Sequence, residues 1–201
     1  MESSQDALNK AISLHNHGRF AEAIIEYEQI LRQRPDDETV AANLASALVR
    51  AGRLDEGINR YRELTSRGSQ IPELWFNFAN ALQRAGNPDE ARQTFERTLE
   101  IAPEFFPAAL NLANLLRDSG DTASAAVMYR RAIAMNPQHP KPRINLAKLL
   151  RIQKNFDETR DVINGGIQAA GQSVELLYER AVLCYETGDS NAAFEAAEQL
   201  I

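Results

Sequence analysis

Apolar residues recur along this chain every three or four positions, the spacing that places side chains on one face of an α-helix. Most of these apolar stretches are followed by a glycine, and another apolar stretch of the same periodicity begins directly after it. A glycine just past an apolar helix provides the left-handed conformation in which helices commonly end. The pattern therefore predicts short amphipathic helices that follow one another in pairs.

The predicted helix pairs repeat every 34 residues without an insertion or a deletion. Six repeats result, 4–37, 38–71, 72–105, 106–139, 140–173 and an incomplete 174–201, and we number positions within each repeat from its first residue. Position 8 is always alanine, at Ala11, Ala45, Ala79, Ala113, Ala147 and Ala181. Position 11 holds Leu14, Leu48, Leu82, Leu116, Leu150 and Cys184. Positions 8 and 11 share a helical face, which predicts the buried stripe of each first helix.

The turn and the second helix repeat in the same way. Position 15, where the first helix should end, holds Gly18, Gly52, Gly86, Gly120, Lys154 and Gly188. Position 20 of the second helix is small, with Ala23, Gly57, Ala91, Ala125, Thr159 and Ala193. Position 24 is mostly aromatic, with Tyr27, Tyr61, Phe95, Tyr129, Ile163 and Ala197. The second helix is thus also predicted to be apolar on one face.

This pattern resembles the tetratricopeptide repeat family over nearly the whole chain. The signature positions of that family match Trp75, Phe78, Ala79, Leu82, Gly86, Ala91, Phe95 and Pro103 of the third repeat. The resemblance implies an all-α fold, a right-handed superhelical α-solenoid of antiparallel helix pairs that forms a single domain over residues 1–201. A helix pair of this kind cannot bury its apolar stripe alone, so stacked neighbours build one continuous core.

Asparagines occupy a column on the predicted first helices. Position 6 is Asn9, Asn43, Asn77, Asn111 and Asn145, with Glu179 in the last repeat, and position 9 adds Asn80 and Asn114. In tetratricopeptide solenoids the first helices line a concave groove, and positions 2, 5, 6, 9, 12 and 13 face it. The resemblance therefore implies a ladder of carboxamides along the groove.

A carboxamide offers both hydrogen-bond donors and an acceptor, so such a ladder could hold the backbone of an extended peptide whatever its side chains. The alternative is that these asparagines bond to neighbouring helices or to each other and tie the repeats together. The segments NLASAL, NFANAL and NLANLL are similar to first helices in the repeat domain of O-linked N-acetylglucosamine transferases, where asparagines hold protein substrates. The chain has no transferase domain, so this likeness concerns only the groove.

Basic residues at groove positions predict the charge of the partner. Positions 2, 9, 12 and 13 contain Lys141, Lys148, Arg117, Arg151, Arg50 and Arg84. They favour an acidic or phosphorylated segment, unless they pair with carboxylates of adjacent repeats. A carboxylate clamp of the chaperone-binding kind is only partly matched, because Phe76 and Asn145 stand where that clamp has cations.

Composition narrows the classes of function. The net charge of −6 and the pI near 5.2 argue against nucleic acid and membrane partners, which need a dense basic surface. One cysteine excludes an intrachain disulfide, and the absence of a long apolar run or leader favours a cytoplasmic location. His15 and His17 cannot share a helical face, Cys184 belongs to the buried column, and no catalytic motif is present. We therefore expect no metal, no cofactor and no enzymatic activity.

Two features depart from the regular pattern. Gly165 and Gly166 fall late in the second helix of the fifth repeat, where they predict a flexible hinge, a close helix crossing or an early helix end. The last repeat leaves Phe194, Ala197, Leu200 and Ile201 without a following helix, although repeat arrays usually end in a polar cap. The chain is then either part of a longer protein or self-associates through that end.

Together these features predict a non-catalytic scaffold that binds an extended protein segment in its groove. Two alternatives stay open: the chain is the substrate-recruiting arm of a larger enzyme such as a glycosyltransferase, or it is a homo-oligomeric assembly scaffold.

Overall fold

A computed structural model of the chain describes residues 4–171 and 173–198, and in these residues it contains twelve α-helices and no strand. The helices fall into two compact units, Met1–Pro103 and Glu104–Ile201. Each unit contains three of the predicted repeats. The all-α solenoid of helix pairs predicted from the 34-residue period is confirmed.

The first unit consists of three packed helix pairs. Its helices are α1 Ser4–Asn16, α2 Phe20–Gln33, α3 Glu38–Arg50, α4 Leu54–Ser66, α5 Pro72–Arg84 and α6 Pro88–Ile101. Within this unit α2 also packs on α3, and α4 packs on α5, so successive repeats share one core. Ala11, Ala45 and Ala79 at position 8 are fully buried. At position 24, Tyr27, Tyr61 and Phe95 are each at most 1 % exposed.

The second unit repeats this arrangement. Its helices are α7 Phe106–Asp118, α8 Thr122–Met135, α9 Pro140–Ile152, α10 Phe156–Ala170, α11 Val174–Glu186 and α12 Ser190–Glu198. Tyr129 and Ile163 at position 24 are buried, whereas Ala197 at the same position is exposed. Cys184 is half-buried.

Every first helix ends in the same hydrogen-bonded turn. The residue after position 15 donates its N–H to the carbonyl of position 11, as Arg53 does to Leu48 and Asn155 to Leu150, both within 3.0 Å. The glycine at position 15 has a positive φ in five repeats. Lys154 adopts the same left-handed conformation, with φ of 58°. The turn is therefore set by the repeat even where its residue is not glycine.

The two glycines of α10 have different surroundings. The helix continues through both of them to Ala170, so the expectation of an early helix end is not met. A Cβ on Gly166 would come within 2.9 Å of Arg143 Cδ and of Leu176 Cδ1, whereas a Cβ on Gly165 would meet no atom within 4 Å. Gly166 thus permits a close approach of α9 and α11 to α10.

The last helix pair exposes several large apolar side chains. Val174, Tyr178 and Tyr185 on α11 are 64 %, 57 % and 77 % exposed, and Phe194 on α12 is 66 % exposed. The predicted open face also included Leu200 and Ile201, which lie outside the described residues.

Candidate peptide-binding face

The predicted groove residues lie on the first helix of each pair, and we call the side chains at positions 2, 6, 9, 12 and 13 the first-helix face. These positions follow one another at three- and four-residue spacing, so they share one side of each first helix. The first unit contributes α1, α3 and α5 to such a face, and the second unit contributes α7, α9 and α11. Each unit is described separately below.

In the first unit the asparagines of position 6 have few hydrogen bonds within the protein. Asn43 is half-buried and Asn77 is exposed, and neither side chain makes a hydrogen bond to any residue that the structure describes. Asn9 is exposed and accepts a hydrogen bond from Gln5 Nε2 at 3.2 Å. Asn80 at position 9 is half-buried. The donors and acceptors of Asn43 and Asn77 therefore remain accessible.

The two arginines of this face have different environments. Arg50 on α3 reaches back to the first repeat, where its Cζ lies 5.2 Å from the ring centroid of Phe20. Burial, together with the nearby charge of Arg50, lowers the pKa of His15. Arg84 on α5 is exposed and forms no ion pair within residues 4–171 and 173–198. Arg84 is thus an available cation in the same helix as Asn77.

In the second unit two asparagines are held by each other and by a tyrosine. Asn145 donates from Nδ2 to Asn114 Oδ1 at 2.9 Å, and the Tyr129 hydroxyl donates to the same oxygen at 2.8 Å. This network joins α7, α8 and α9. Burial raises the pKa of Tyr129, so its hydroxyl stays protonated and serves as a donor. Asn111 on α7 is half-buried.

The tyrosine was not foreseen as part of this face, because position 24 was assigned only to the core. A signal was present, since a polar residue at position 9 coincides with a tyrosine at position 24 in two repeats. In the fourth repeat the Tyr129 hydroxyl donates to Asn114 Oδ1, and in the second repeat Ser46 offsets part of the rise that burial causes in the pKa of Tyr61. The tyrosine hydroxyl extends past the buried ring to reach position 9.

The cations on α9 lie opposite carboxylates on α11. Glu179, the residue that replaces asparagine at position 6, is only 2 % exposed. Its two oxygens lie 3.5 Å from Lys148 Nζ and 3.6 Å from Arg151 Nε. Arg151 also forms an ion pair with Glu186. Arg151 and Lys148 are therefore largely neutralised within the unit.

The remaining basic positions of the second unit follow the same trend. Arg117 bonds through Nε to its chain neighbour Asp118 at 2.9 Å. Lys141 is exposed, and its charge helps to lower the pKa of Glu175, after hydrogen bonds from the Glu175 backbone N–H and the Ser173 hydroxyl. The basic side chains of this unit thus have acidic neighbours, unlike Arg84 in the first unit.

Comparisons with known proteins agree with this architecture. Two models described as tetratricopeptide repeat match residues 42–104 and 116–176, which together make up more than half of the chain. The chain belongs to the tetratricopeptide repeat family. A model described as bacterial transcriptional activator domain matches residues 2–70. A comparison with curated protein sequences finds no match.

Several solved tetratricopeptide repeat structures share the fold. Pseudomonas aeruginosa pilF is 18 % identical with a TM-score of 0.79, over 98 % of this chain and 90 % of that one. PilW, described as a widely conserved type IV pilus biogenesis factor, is 19 % identical with a TM-score of 0.75, over 98 % and 91 %. YrrB, described as having an unusual peptide-binding site, is 15 % identical with a TM-score of 0.68, over 88 % and 91 %. At such identities the likeness shows the fold alone.

Two further observations concern other classes of function. Among the described residues, no group of three or more histidine, cysteine, aspartate or glutamate side chains could hold a metal ion. A search of the described helices for one with the length and apolar character to cross a membrane finds none. Protein–protein interaction is the usual role of tetratricopeptide repeat proteins, which generally act as non-catalytic adaptors.

Proposed function

We propose that this tetratricopeptide repeat protein is a non-catalytic scaffold that binds an extended, acidic protein segment on the first-helix face. The observation that carries the proposal is the state of Asn43 and Asn77, whose carboxamides have no hydrogen-bond partner among the described residues. An amide of this kind can donate to a peptide carbonyl and accept from a peptide N–H, which is recognition of backbone rather than of side chains. Asn77 and Arg84 lie on the same helix, α5, so backbone recognition and charge selection come together.

The contrast between the two units supports this assignment. Asn114 and Asn145 are satisfied within the protein, Lys148 and Arg151 face the buried carboxylate of Glu179, and Arg151 also pairs with Glu186. Using those groups to bind a ligand would first break internal contacts. We therefore assign the main binding contribution to the first unit, and a structural contribution to Asn114 and Asn145.

The test is a selection of random twelve-residue peptides of acidic, neutral and basic composition, followed by fluorescence anisotropy on the enriched sequences. Asn43→Ala/Asn77→Ala is expected to weaken binding about tenfold or more, since each lost hydrogen bond between neutral groups is worth about 1 kcal/mol. Arg84→Glu should remove the preference for acidic peptides. The matched control is Asn59→Ala/Gln93→Ala, which removes two exposed carboxamides from second helices.

The proposal is wrong if no peptide is enriched, or if the control weakens binding as much as the asparagine variant does. A cytoplasmic location belongs to the same proposal and is checked by fractionation of cells that produce the full-length protein. The alternative of a recruiting arm would use the same face, and a catalytic domain in the full-length protein would identify it.

Self-association through the last helix pair is a second candidate, favoured by a comparison of repeats. Position 1 is half-buried at Glu38, Pro72, Phe106 and Pro140, and position 5 is at least half-buried at Leu8, Ala42, Phe76, Leu110 and Ile144. Val174 and Tyr178 occupy these positions in the last repeat and are more than half exposed. An exposed apolar surface of this kind is typical of an interface.

The first repeat is polar at positions that are apolar elsewhere. Positions 3, 7 and 10 are buried and apolar in the second to fifth repeats, yet in the first repeat they are Asp6, Lys10 and Ser13, all exposed. A head-to-tail contact would place the apolar side chains of the last helix pair against the polar residues of the first repeat, which is unfavourable. We therefore propose a symmetric contact of two copies through α11 and α12. Sedimentation equilibrium should give about twice the chain mass of 22.4 kDa. Tyr178→Glu/Phe194→Glu should restore the monomer mass, while Ile25→Glu/Val127→Glu, which changes two equally exposed apolar residues, should not.

A further inference from the structure

A cleft of about 840 Å³ lies in the first unit, away from the first-helix face. Its walls are the C-terminal half of α2, the N-terminal half of α3 and the C-terminal half of α4. Leu31, Ala41, Leu44 and Leu64 provide its apolar part. Comparison with other repeats explains why a cleft of this size is present between the first and second repeats.

Position 4 fills the equivalent space in two other repeats. Trp75 occupies it in the third repeat and donates from Nε1 to the carbonyl oxygen of Ser69 at 2.9 Å. Arg143 occupies it in the fifth repeat and donates from Nη1 to the carbonyl oxygen of Pro137. Both acceptors are at position 32 of the preceding repeat. A long side chain with an N–H group at its end thus ties the first helix to the loop that precedes it.

The second repeat has Ala41 at position 4, and its methyl group cannot reach the corresponding carbonyl oxygen of Pro35. Both Ala41 and Pro35 line the cleft. Beside Arg143 the equivalent cleft has a volume of only about 320 Å³. Ala41 thus leaves open a space that Arg143 partly fills in the fifth repeat, whereas its counterpart in the fourth repeat, Ala109, is fully buried.

A second difference between repeats removes an ion pair that would connect α2 and α4. An arginine at position 25 pairs with a glutamate at position 19 of the next repeat, as Arg62 does with Glu90 at 2.7 Å and Arg130 with Glu158. In the first two repeats these positions are Glu28 and Glu56, which cannot form such a pair. Glu28 lines the cleft instead.

The charges around the cleft favour a cation. Five acidic and three basic residues line it, and two of the bases, Arg60 and Arg67, both contact Glu63. Asp36 and Glu38 form no ion pair with any described residue, and Glu28 has a longer-range electrostatic interaction with Arg53. Helix ends of both signs lie at the cleft, the C-terminal ends of α2 and α4 with partial negative charge and the N-terminal end of α3 with partial positive charge, which the carboxylates of Asp37 and Glu38 offset.

We infer that this cleft binds an arginine side chain presented by an apolar segment of a partner protein. The arginine would take the place that Arg143 takes in the fifth repeat, with its aliphatic stem on the leucines and its guanidinium near the Pro35 carbonyl and the unpaired carboxylates. Arginine fits better than lysine because its planar guanidinium donates several hydrogen bonds at once. The cleft is separate from the first-helix face and does not depend on its function.

The probe is a fluorescein-labelled nine-residue peptide with a single arginine flanked by two leucines on each side. Three analogues replace the arginine by lysine, by citrulline and by alanine. Citrulline retains N–H donors at the end of the side chain but has no charge. We expect anisotropy titrations to show the arginine peptide binding at least tenfold tighter than the citrulline and alanine peptides, with lysine in between.

Protein variants then locate the site. Ala41→Arg should supply the missing side chain from the protein itself and weaken the arginine peptide at least tenfold, whereas Ala21→Arg, an exposed position on α2, should not. Glu28→Gln/Glu38→Gln should also weaken it. The charge-matched control, Asp55→Asn/Asp89→Asn, removes two exposed acids from the first turns of α4 and α6. Circular dichroism checks that each variant keeps its helicity.

The inference is overturned if the arginine peptide does not bind below about 1 mM, if citrulline replaces arginine without loss, or if Ala41→Arg leaves binding unchanged. Asn43→Ala/Asn77→Ala should not affect this peptide. The same set of variants therefore distinguishes a failure of the proposed arginine site from a failure of the proposed peptide binding on the first-helix face.

Discussion

Asn145 Nδ2 lies 2.9 Å from Asn114 Oδ1, and the oxygen that accepts this bond also accepts the Tyr129 hydroxyl. One carboxamide thus joins three helices of the second unit. In the first unit, Asn43 and Asn77 at position 6 have no such partner in the part of the chain that the structure describes. A single asparagine column of the sequence therefore contains two kinds of residue with different expected effects on stability.

Asn114→Ala is predicted to lower the free energy of unfolding by about 1–2 kcal/mol, because it leaves the Tyr129 hydroxyl and the Asn145 amide without their acceptor. Asn43→Ala and Asn77→Ala should each change it by less than about 0.5 kcal/mol. Urea denaturation followed by circular dichroism measures all three. Equal losses at all three residues would show that the asparagines of positions 6 and 9 have one structural role throughout.

Gly165→Ala and Gly166→Ala should have opposite effects. Alanine at residue 165 places its methyl group where no atom lies within 4 Å, so the helix gains about 0.5–1 kcal/mol in propensity. At residue 166 the methyl group would meet Arg143 and the fully buried Leu176, and the strain should outweigh that gain. Thermal denaturation compares the two variants. A gain in melting temperature for both variants would mean that α9 and α11 leave space for a methyl group at residue 166.

Lys154→Gly is expected to stabilise the protein by about 1 kcal/mol. A side chain in the left-handed region is strained relative to glycine, and Lys154 has φ of 58° where the other five repeats have glycine. Gly120→Ala, the reverse change in the preceding repeat, should cost a similar amount. Denaturation midpoints of the two variants should therefore move in opposite directions, and a loss of stability in Lys154→Gly would contradict this explanation.

Stability should fall in alkali because of a buried tyrosine. Burial raises the pKa of Tyr27 to about 12, from an ordinary value near 10. The folded pKa is the higher one, so the contribution is complete below about pH 10, where both states are protonated, and is lost as the pH rises towards 12. The loss from this residue reaches about 2–3 kcal/mol near pH 12 and is about half of that near pH 11.

Tyr27→Phe should reduce that alkaline loss, and phenylalanine fits this position because Phe95 occupies it in the third repeat. Urea denaturation at neutral pH and near pH 11 gives the comparison, with the neutral measurement as the control for packing. An unchanged pH dependence in the variant would exclude Tyr27 as its source.

The buried carboxylate of Glu179 gives a further prediction. Arg151→Met removes one of its two cations and should cost about 1–3 kcal/mol, because a buried charge then loses its partner. Glu179→Asn, which restores the residue of position 6 in the other repeats, should recover part of that loss when combined with Arg151→Met. A double-mutant cycle measures the coupling, and additive effects would mean that the two charges do not interact.

Only part of the candidate face could be predicted from the sequence. The 34-residue period placed the asparagines and arginines on first helices, since period and helical spacing depend on the order of residues alone. The partners of Asn114 could not be read in this way, because Tyr129 comes from another helix whose distance is decided by packing. Likewise, Glu179 could be placed at position 6, but its burial opposite Arg151 depends on how closely α9 and α11 approach.

The sequence by itself determined the helices of residues 4–171 and 173–198, the turns between them and the stripe that each buries, because these follow from local periodicity and from residues such as glycine at position 15. It determined even the turn at Lys154, since the surrounding repeat specifies the same hydrogen bonds without glycine. The tertiary structure alone decided which polar groups are satisfied and where a cleft remains. Those features depend on contacts between repeats, such as that of Asn145 with Asn114, which lie 31 residues apart in the chain, and no local pattern records such a distance.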